Sequence, residues 1–131
     1  MGRATKRSET LTKKRLDLLV TVWRKRMRLS DWDVRALLVD ADALASGGNG
    51  ECSVYPRLNQ AVIRIASNRE LGDGTLHDHE ATLVHELLHI DSDAFVRYTD
   101  LKRDSLRFDA YENFIEKTSQ VLVGAYRKGG K

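Results

Sequence analysis

Cysteine and proline are the scarcest structural residues in this sequence. A single cysteine, Cys52, excludes a disulfide bond within the chain and agrees with a reducing compartment. We interpret Cys52 as a small, partly buried strand residue, not as a reactive thiol or a metal ligand. The single proline, Pro56, cannot donate a hydrogen bond inside a sheet, so it predicts a strand end or a sheet edge.

Long apolar segments are also absent. No stretch approaches the roughly 20 apolar residues that a membrane span requires, which predicts no membrane partner. The first seven residues lead into charged sequence without the apolar region of a secretory signal, so we expect a cytoplasmic protein. With 131 residues, 41% of them hydrophobic, the chain predicts one globular domain over residues 9–127, between a disordered basic N-terminus at 1–8 and a disordered tail at 128–131.

Positive charge is concentrated at one end of the chain. Residues 1–30 contain ten lysines and arginines against two acidic residues, a net charge of +8, and the remaining residues have a net charge of −5. A basic segment of this kind can contact nucleic acid or an acidic partner. We favour the simpler interpretation, a solvated helix face beside a frayed terminus.

Hydrophobic periodicity predicts an α+β fold. A first helix is expected from Glu9 or Thr10 to Arg28, because its apolar residues recur at helical spacing. Three short strands follow, and then two helices joined by a loop around residues 97–100. The strands are predicted at 32–40, 51–55 and 61–66, and the helices from 77 or 78 to 91 or 95 and at 105–126.

The segment His85-Glu86-Leu87-Leu88-His89 is the most specific feature of the sequence. Two histidines four residues apart lie on one face of a helix, where both imidazoles can bind one metal ion, and Glu86 can reach a water molecule on that ion. With four histidines and seven glutamates in the chain, about 0.006 such motifs are expected by chance. Apolar residues cover most of the remaining helix surface, which predicts a buried helix.

A catalytic zinc site usually has three protein ligands and one open position, so a third ligand is expected. On the last helix, Glu112 lies about 40° and Glu116 about 80° from Phe108, which marks the inward face. Glu112 is therefore the favoured ligand, and Glu116 is an alternative ligand or a hydrogen-bond acceptor for a histidine ring. Asp93, four residues after His89 on the same helix face, is a further alternative.

Together, the His85–His89 motif, the small sheet before it and the later helix with Glu112 resemble the minimal zincin-type metallopeptidases that have a glutamate third ligand. The segment from Glu80 to His89 is similar to small metallopeptidase-like proteins of bacterial phages and prophages, and the resemblance covers approximately residues 9–127. It implies a zincin-like domain in the cytoplasm of a bacterial or phage-infected cell. It departs from metzincins, because residues 90–97 contain no further glycine or histidine.

The predicted activity is hydrolysis of a peptide bond in a protein or peptide substrate, with one Zn²⁺ per chain and Glu86 as the general base. The resemblance also implies an extended substrate along a sheet edge. Four residues are candidates for an oxyanion donor: Tyr98, Tyr111, His77 and Arg64. The alternatives are a zinc-stabilised interaction module without turnover and a metal-dependent nuclease, either of which would use the basic first helix to contact a partner.

Overall fold

The computed structural model describes residues 11–45, 48–67, 78–99 and 105–129. Three helices and a three-stranded mixed sheet form an α+β fold, which confirms the predicted class. Two short 3₁₀ helices, Ala41–Ala43 and Pro56–Leu58, lie between the strands. The elements in chain order are α1 (Lys13–Arg26), β1 (Asp33–Val39), β2 (Gly50–Tyr55), β3 (Gln60–Ala66), α2 (His79–Thr99) and α3 (Leu106–Gly129).

Helix α1 is shorter than predicted at both ends. It begins after Thr12, whose hydroxyl accepts a backbone N–H of the first turn. It ends at Arg26, because Arg28 adopts a left-handed backbone with φ of 59° and the amide of Leu29 donates to the carbonyl of Arg24 at 2.7 Å. This helix-terminating turn usually contains glycine, so the sequence did not predict it.

Strand β3 lies at the centre of the sheet, in the order β1-β3-β2. It pairs in parallel with β1 and antiparallel with β2, and Ile63 is opposite both Ala36 and Cys52. Pro56 follows the last residue of β2, as predicted, and Asn59 completes the turn with a φ of 51°. Among the described residues, β2 is therefore an edge strand.

All three helices contribute to one core on one face of the sheet. Alternate residues of each strand point to this face, and the intervening residues, such as Arg35, Leu37 and Tyr55, are exposed on the other face. The prediction that the motif helix is buried is confirmed by Leu83 and Leu87, which have no exposed surface. Core side chains include Leu16, Trp23, Val34, Ala36, Ala61, Ile63, Ile65, Leu83, Val84, Leu87, Ile90 and Val123.

Helices α2 and α3 are both longer than predicted. At the start of α2, the carboxylate of Asp78 accepts the amide of Ala81 at 3.2 Å and caps the helix. The helix continues to Thr99, so the predicted loop at Arg97 and its neighbours is wrong: these residues are helical, and Arg97 donates to Asp93 one turn earlier. No helix in the described ranges is long and apolar enough to cross a membrane.

The last turns of α3 are held by acidic residues at the start of α2. Arg127 donates to both carboxylate oxygens of Asp78, at 2.8 and 3.0 Å, and to Glu80 at 3.1 Å. Glu80 also accepts the indole N–H of Trp23 at 2.6 Å, and the ring of Tyr126 packs edge-on against that indole. These contacts join the three helices and explain why α3 extends beyond Tyr126, where the sequence placed its end.

Candidate metal centre

Helices α2 and α3 bring His85, His89 and Glu112 together. The Nε2 atom of His85 lies 3.4 Å from one carboxylate oxygen of Glu112, and Nε2 of His89 lies 3.5 Å from the other. One ligand atom from each residue lies within 4.8 Å of the others. Within the described part of the chain, this is the group whose nitrogen and oxygen atoms could hold a metal ion.

These separations are short enough for a shared metal ion. Two ligand atoms that each lie about 2.1 Å from a tetrahedral zinc are about 3.4 Å apart, and each imidazole Nε2 lies at about this distance from a different carboxylate oxygen of Glu112. Two imidazoles and one carboxylate are also a common donor set for catalytic zinc, and they leave one position open. His85, His89 and Glu112 therefore have the ligand atoms that a zinc ion prefers, and Glu112 is the residue that we favoured as the third ligand.

Hydrogen bonds behind His85 fix the orientation of its ring. Its Nδ1 atom lies 2.7 Å from a carboxylate oxygen of Glu116, and Gln120 donates to the other oxygen of Glu116 at 2.6 Å. The carboxylate accepts the Nδ1 proton, which directs Nε2 towards Glu112, where it can bind a metal ion once its own proton is lost. The structure thus places Glu116 behind the histidine, in the second of the two roles that we considered for it.

A different hydrogen-bond chain orients His89. The hydroxyl of Ser92 donates to the carbonyl of Leu88 at 2.9 Å, so it accepts from the hydroxyl of Tyr111, which is 2.6 Å away. The Tyr111 oxygen can then accept the Nδ1 proton of His89 across 2.9 Å. This arrangement again directs Nε2 of the histidine towards Glu112. The Tyr111 hydroxyl therefore supports His89, whereas we predicted it as a candidate oxyanion donor.

Glu86 lies beside the two histidines and is almost completely buried, with 5% of its surface exposed. Close approach of β2 encloses it. A Cβ atom on Gly50 would be 3.3 Å from a carboxylate oxygen of Glu86 and 2.9 Å from the methyl group of Thr82. Burial raises the pKa of Glu86 to about 7, although the charges of His85 and His89 lower it. A carboxyl group with this pKa can exchange a proton near neutral pH.

In the absence of metal, His85 and Glu112 form an ion pair. Burial lowers the pKa of His85, but the hydrogen bond with Glu112, the charge of Glu86 and the contacts with Glu116 outweigh this effect and raise the pKa to about 9. The hydrogen bonds from His85 and His89 lower the pKa of Glu112 to about 2. Glu112 is therefore ionised at neutral pH, and a metal ion must displace a proton from His85.

The three candidate ligands line one side of a cleft of about 540 Å³ between β2, α2 and α3. Strand β2 provides Gly50, Glu51, Cys52 and Val54, and the far end of the cleft contains residues of both helices. Burial and the charges of Glu86 and Asp93 raise the pKa of Cys52 to about 12, so this thiol stays protonated at neutral pH. The volume is typical of sites that bind small molecules or a short peptide segment.

Several predicted site residues lie elsewhere. Asp93 lines the cleft, but its carboxylate accepts from Arg97 at 2.7 Å and is not part of the ligand group. Arg64 lies on a strand position that points away from the helices, 3.7 Å from Glu51, so it does not face the ligands. His77 and the side chain of Tyr98 lie outside the described residues.

Sequence reasoning missed three residues of the site: Gly50, Ser92 and Gln120. Ser92 follows His89 by three residues and Gln120 follows Glu116 by four, so helical spacing alone could have indicated both. Gly50 ends the segment Gly47-Gly48-Asn49-Gly50, a composition that is typical of a flexible loop. No local pattern distinguishes that role from close packing against a helix.

Comparison of the chain with protein-family models, curated protein sequences and solved structures finds no match.

Proposed function

We propose that this protein is a zinc-dependent peptidase in which His85, His89 and Glu112 hold the metal. The observation that carries the proposal is the convergence of both Nε2 atoms on Glu112, with each Nδ1 atom already engaged and Glu86 buried beside them. A sheet, a motif helix and a later helix with a glutamate also follow one another in the order that the zincin resemblance implies. We therefore extend the proposal to a zincin-like domain.

Zinc at this position would supply a Lewis acid that polarises a carbonyl group and lowers the pKa of water. Glu86 takes the proton of the attacking water, because its carboxylate is buried beside the two histidines that would hold the metal. It then delivers that proton to the nitrogen of the leaving amine. Burial against β2 keeps the Glu86 carboxylate on the side of the two histidines.

Strand β2 supports a peptide as the substrate. The amide of Ala66 donates to the carbonyl of Asn49, so the residues of β2 whose backbone groups point away from β3 are Gly50, Cys52 and Val54. The same three residues line the cleft. An extended peptide can therefore add to this edge as a further strand and pass the candidate metal centre.

The test uses zinc-loaded protein and a mixture of unstructured peptides, with cleavage followed by mass spectrometry. Glu86→Gln should keep one zinc per chain and lose hydrolysis, because the amide cannot accept the proton. Asp91→Asn is the matched control, because it also converts a carboxylate to an amide on α2, at an exposed position. It should keep both the bound zinc and the hydrolysis. Hydrolysis retained in Glu86→Gln would contradict the role of Glu86. Zinc binding without any turnover by the wild type would favour the interaction module, and cleavage of nucleic acid would favour the nuclease.

A further inference from the structure

The cleft continues beyond His89, along the second half of α2. Gly50 is beside Glu86, and the next residues of β2 on the same face are Cys52 and Val54. Two strand residues advance about 6.6 Å, which equals roughly four residues of a helix. From Gly50 to Val54 the strand advances about 13 Å, which corresponds to about nine residues of α2 counted from Glu86. Val54 therefore lies near the level of Val96, and both residues line the cleft.

Helix α3 completes the same end of the cleft. Tyr111 is hydrogen-bonded to His89 and Ser92, so the turn of α3 before Tyr111 lies opposite the turn of α2 after Ser92. That turn of α3 provides Phe108, whose ring centroid is 5.6 Å from that of Tyr111. Val54, Val96 and Phe108 thus come from three different elements and form what we call the apolar end of the cleft.

In the described part of the chain, Asp93 and Arg97 form an ion pair near the apolar end. Asp93 accepts from Arg97 at 2.7 Å, and the Arg97 side chain is 58% exposed, so its charge lies toward solvent. An acidic or basic substrate side chain would lose hydration in the apolar end, and it would compete with Asp93 or Arg97 for the other member of this pair. An apolar side chain would instead bury its surface against two valines and a phenylalanine.

We propose that the apolar end selects substrates with a large apolar side chain, such as Phe or Leu, about three residues from the scissile bond. This inference rests on the proposed function, because it takes the occupant to be an extended peptide paired with β2. Val96 follows His89 by seven residues, about 10 Å along a helix, and an extended peptide covers that distance in about three residues. Val54 presents its backbone groups to the edge of β2 that pairs with no described strand. Pairing of a peptide with this edge can therefore fix which residue lies at the metal centre and which side chain enters the apolar end.

The test measures binding, so that it does not depend on turnover. The probes are hexapeptides of Gly, Ser and Ala in which one Phe is moved through every position, and a matched series that carries Asp. Dissociation constants are measured with the Glu86→Gln protein by NMR, with the valine methyl groups labelled. We expect one register in which the Phe peptide binds about tenfold or more tightly than the Asp peptide and shifts the methyl signals of Val54 and Val96. Equal affinities at every position, or shifts that leave these two valines unchanged, would overturn the inference.

Substitutions then locate the preference. Val96→Glu should reduce the ratio between the Asp and Phe dissociation constants to below about threefold. Val121→Glu is the matched control, because Val121 is 69% exposed on α3 and should leave the ratio unchanged. If Val96→Glu does not fold, Val96→Thr makes a smaller polar change at the same position. An unchanged ratio in the folded Val96 variant would overturn the inference, whereas absence of hydrolysis by the wild type would count against the proposed function alone.

Discussion

Replacement of Gly50 by Ala tests how β2 and α2 hold Glu86 in place. The φ of Gly50 lies outside the left-handed region, so alanine can adopt its backbone conformation. The new methyl group would, however, lie 2.9 Å from the methyl carbon of Thr82 and 3.0 Å from the carbonyl oxygen of Arg64. The Glu86 carboxylate would be 3.3 Å away. Ordinary contacts between such atoms are longer, so β2 and α2 must separate or the carboxylate must move.

Two effects of different size follow from Gly50→Ala. Forcing a methyl group into a packed interface costs about 1–3 kcal/mol of the free energy of unfolding, which urea denaturation measures. If Glu86 is the base, as we propose, a small displacement of its carboxylate should reduce kcat by about tenfold to a hundredfold. Zinc stoichiometry should stay at one per chain, because none of these contacts involves His85, His89 or Glu112.

The substitution Thr82→Ser removes the methyl group that makes the shortest contact and keeps the hydroxyl. The double variant Gly50→Ala/Thr82→Ser should therefore recover part of the lost stability, whereas Thr82→Ser alone should be slightly destabilising. Wild-type stability and kcat in Gly50→Ala would refute the reasoning that Gly50 is needed for the close approach of β2 to Glu86.

Three further predictions concern the metal and the packing of α3. The apparent affinity for zinc should rise about tenfold per pH unit between pH 7 and 9 in a competition titration, because His85, with a pKa of about 9, must release its proton to bind metal; a flat profile would contradict this. Glu116→Ala should weaken zinc binding by about 10- to 100-fold without removing the site, and an unchanged affinity would exclude an orienting role. Arg127→Ala should lower the free energy of unfolding by about 1 kcal/mol, because it breaks charge-assisted hydrogen bonds at the surface, and the same loss in Lys128→Ala would show that the contacts of Arg127 are not the cause.

Periodicity located the three α-helices and the three strands of the described chain, because most of them bury a face with the spacing expected from their geometry. Helical spacing also placed Glu112 on the inward face of α3, where it meets His85 and His89. Helical spacing favoured Glu112 over Glu116, because Glu112 lies about 40° closer to the inward face of the helix. In the structure, Glu112 faces both histidines, and Glu116 contacts His85 from the side. Helical spacing was sufficient to predict the position of Glu112, because the face of α3 that packs inward repeats regularly along the helix.

The remaining features depend on contacts between distant segments. The parallel pairing of β1 with β3 is absent from local patterns, and so is the packing of Gly50 against Glu86. Arg127 follows the predicted end of the last helix, and nothing near it in the sequence shows that Asp78 and Glu80 come within hydrogen-bonding distance. Tyr111 and Arg64 were chosen as oxyanion candidates by residue type, and only the fold shows that one supports His89 and the other faces away.

X-ray absorption at the zinc edge, on protein loaded with one equivalent of zinc, tests the proposed metal centre most directly. We expect two imidazole ligands and two oxygen ligands, one from Glu112 and one from an exchangeable water, at about 2.0–2.2 Å. The Glu112→Ala variant should lose one oxygen ligand and bind zinc more weakly. A sulfur ligand from Cys52, a closed shell of four protein ligands or no zinc uptake would contradict a catalytic site formed by His85, His89 and Glu112.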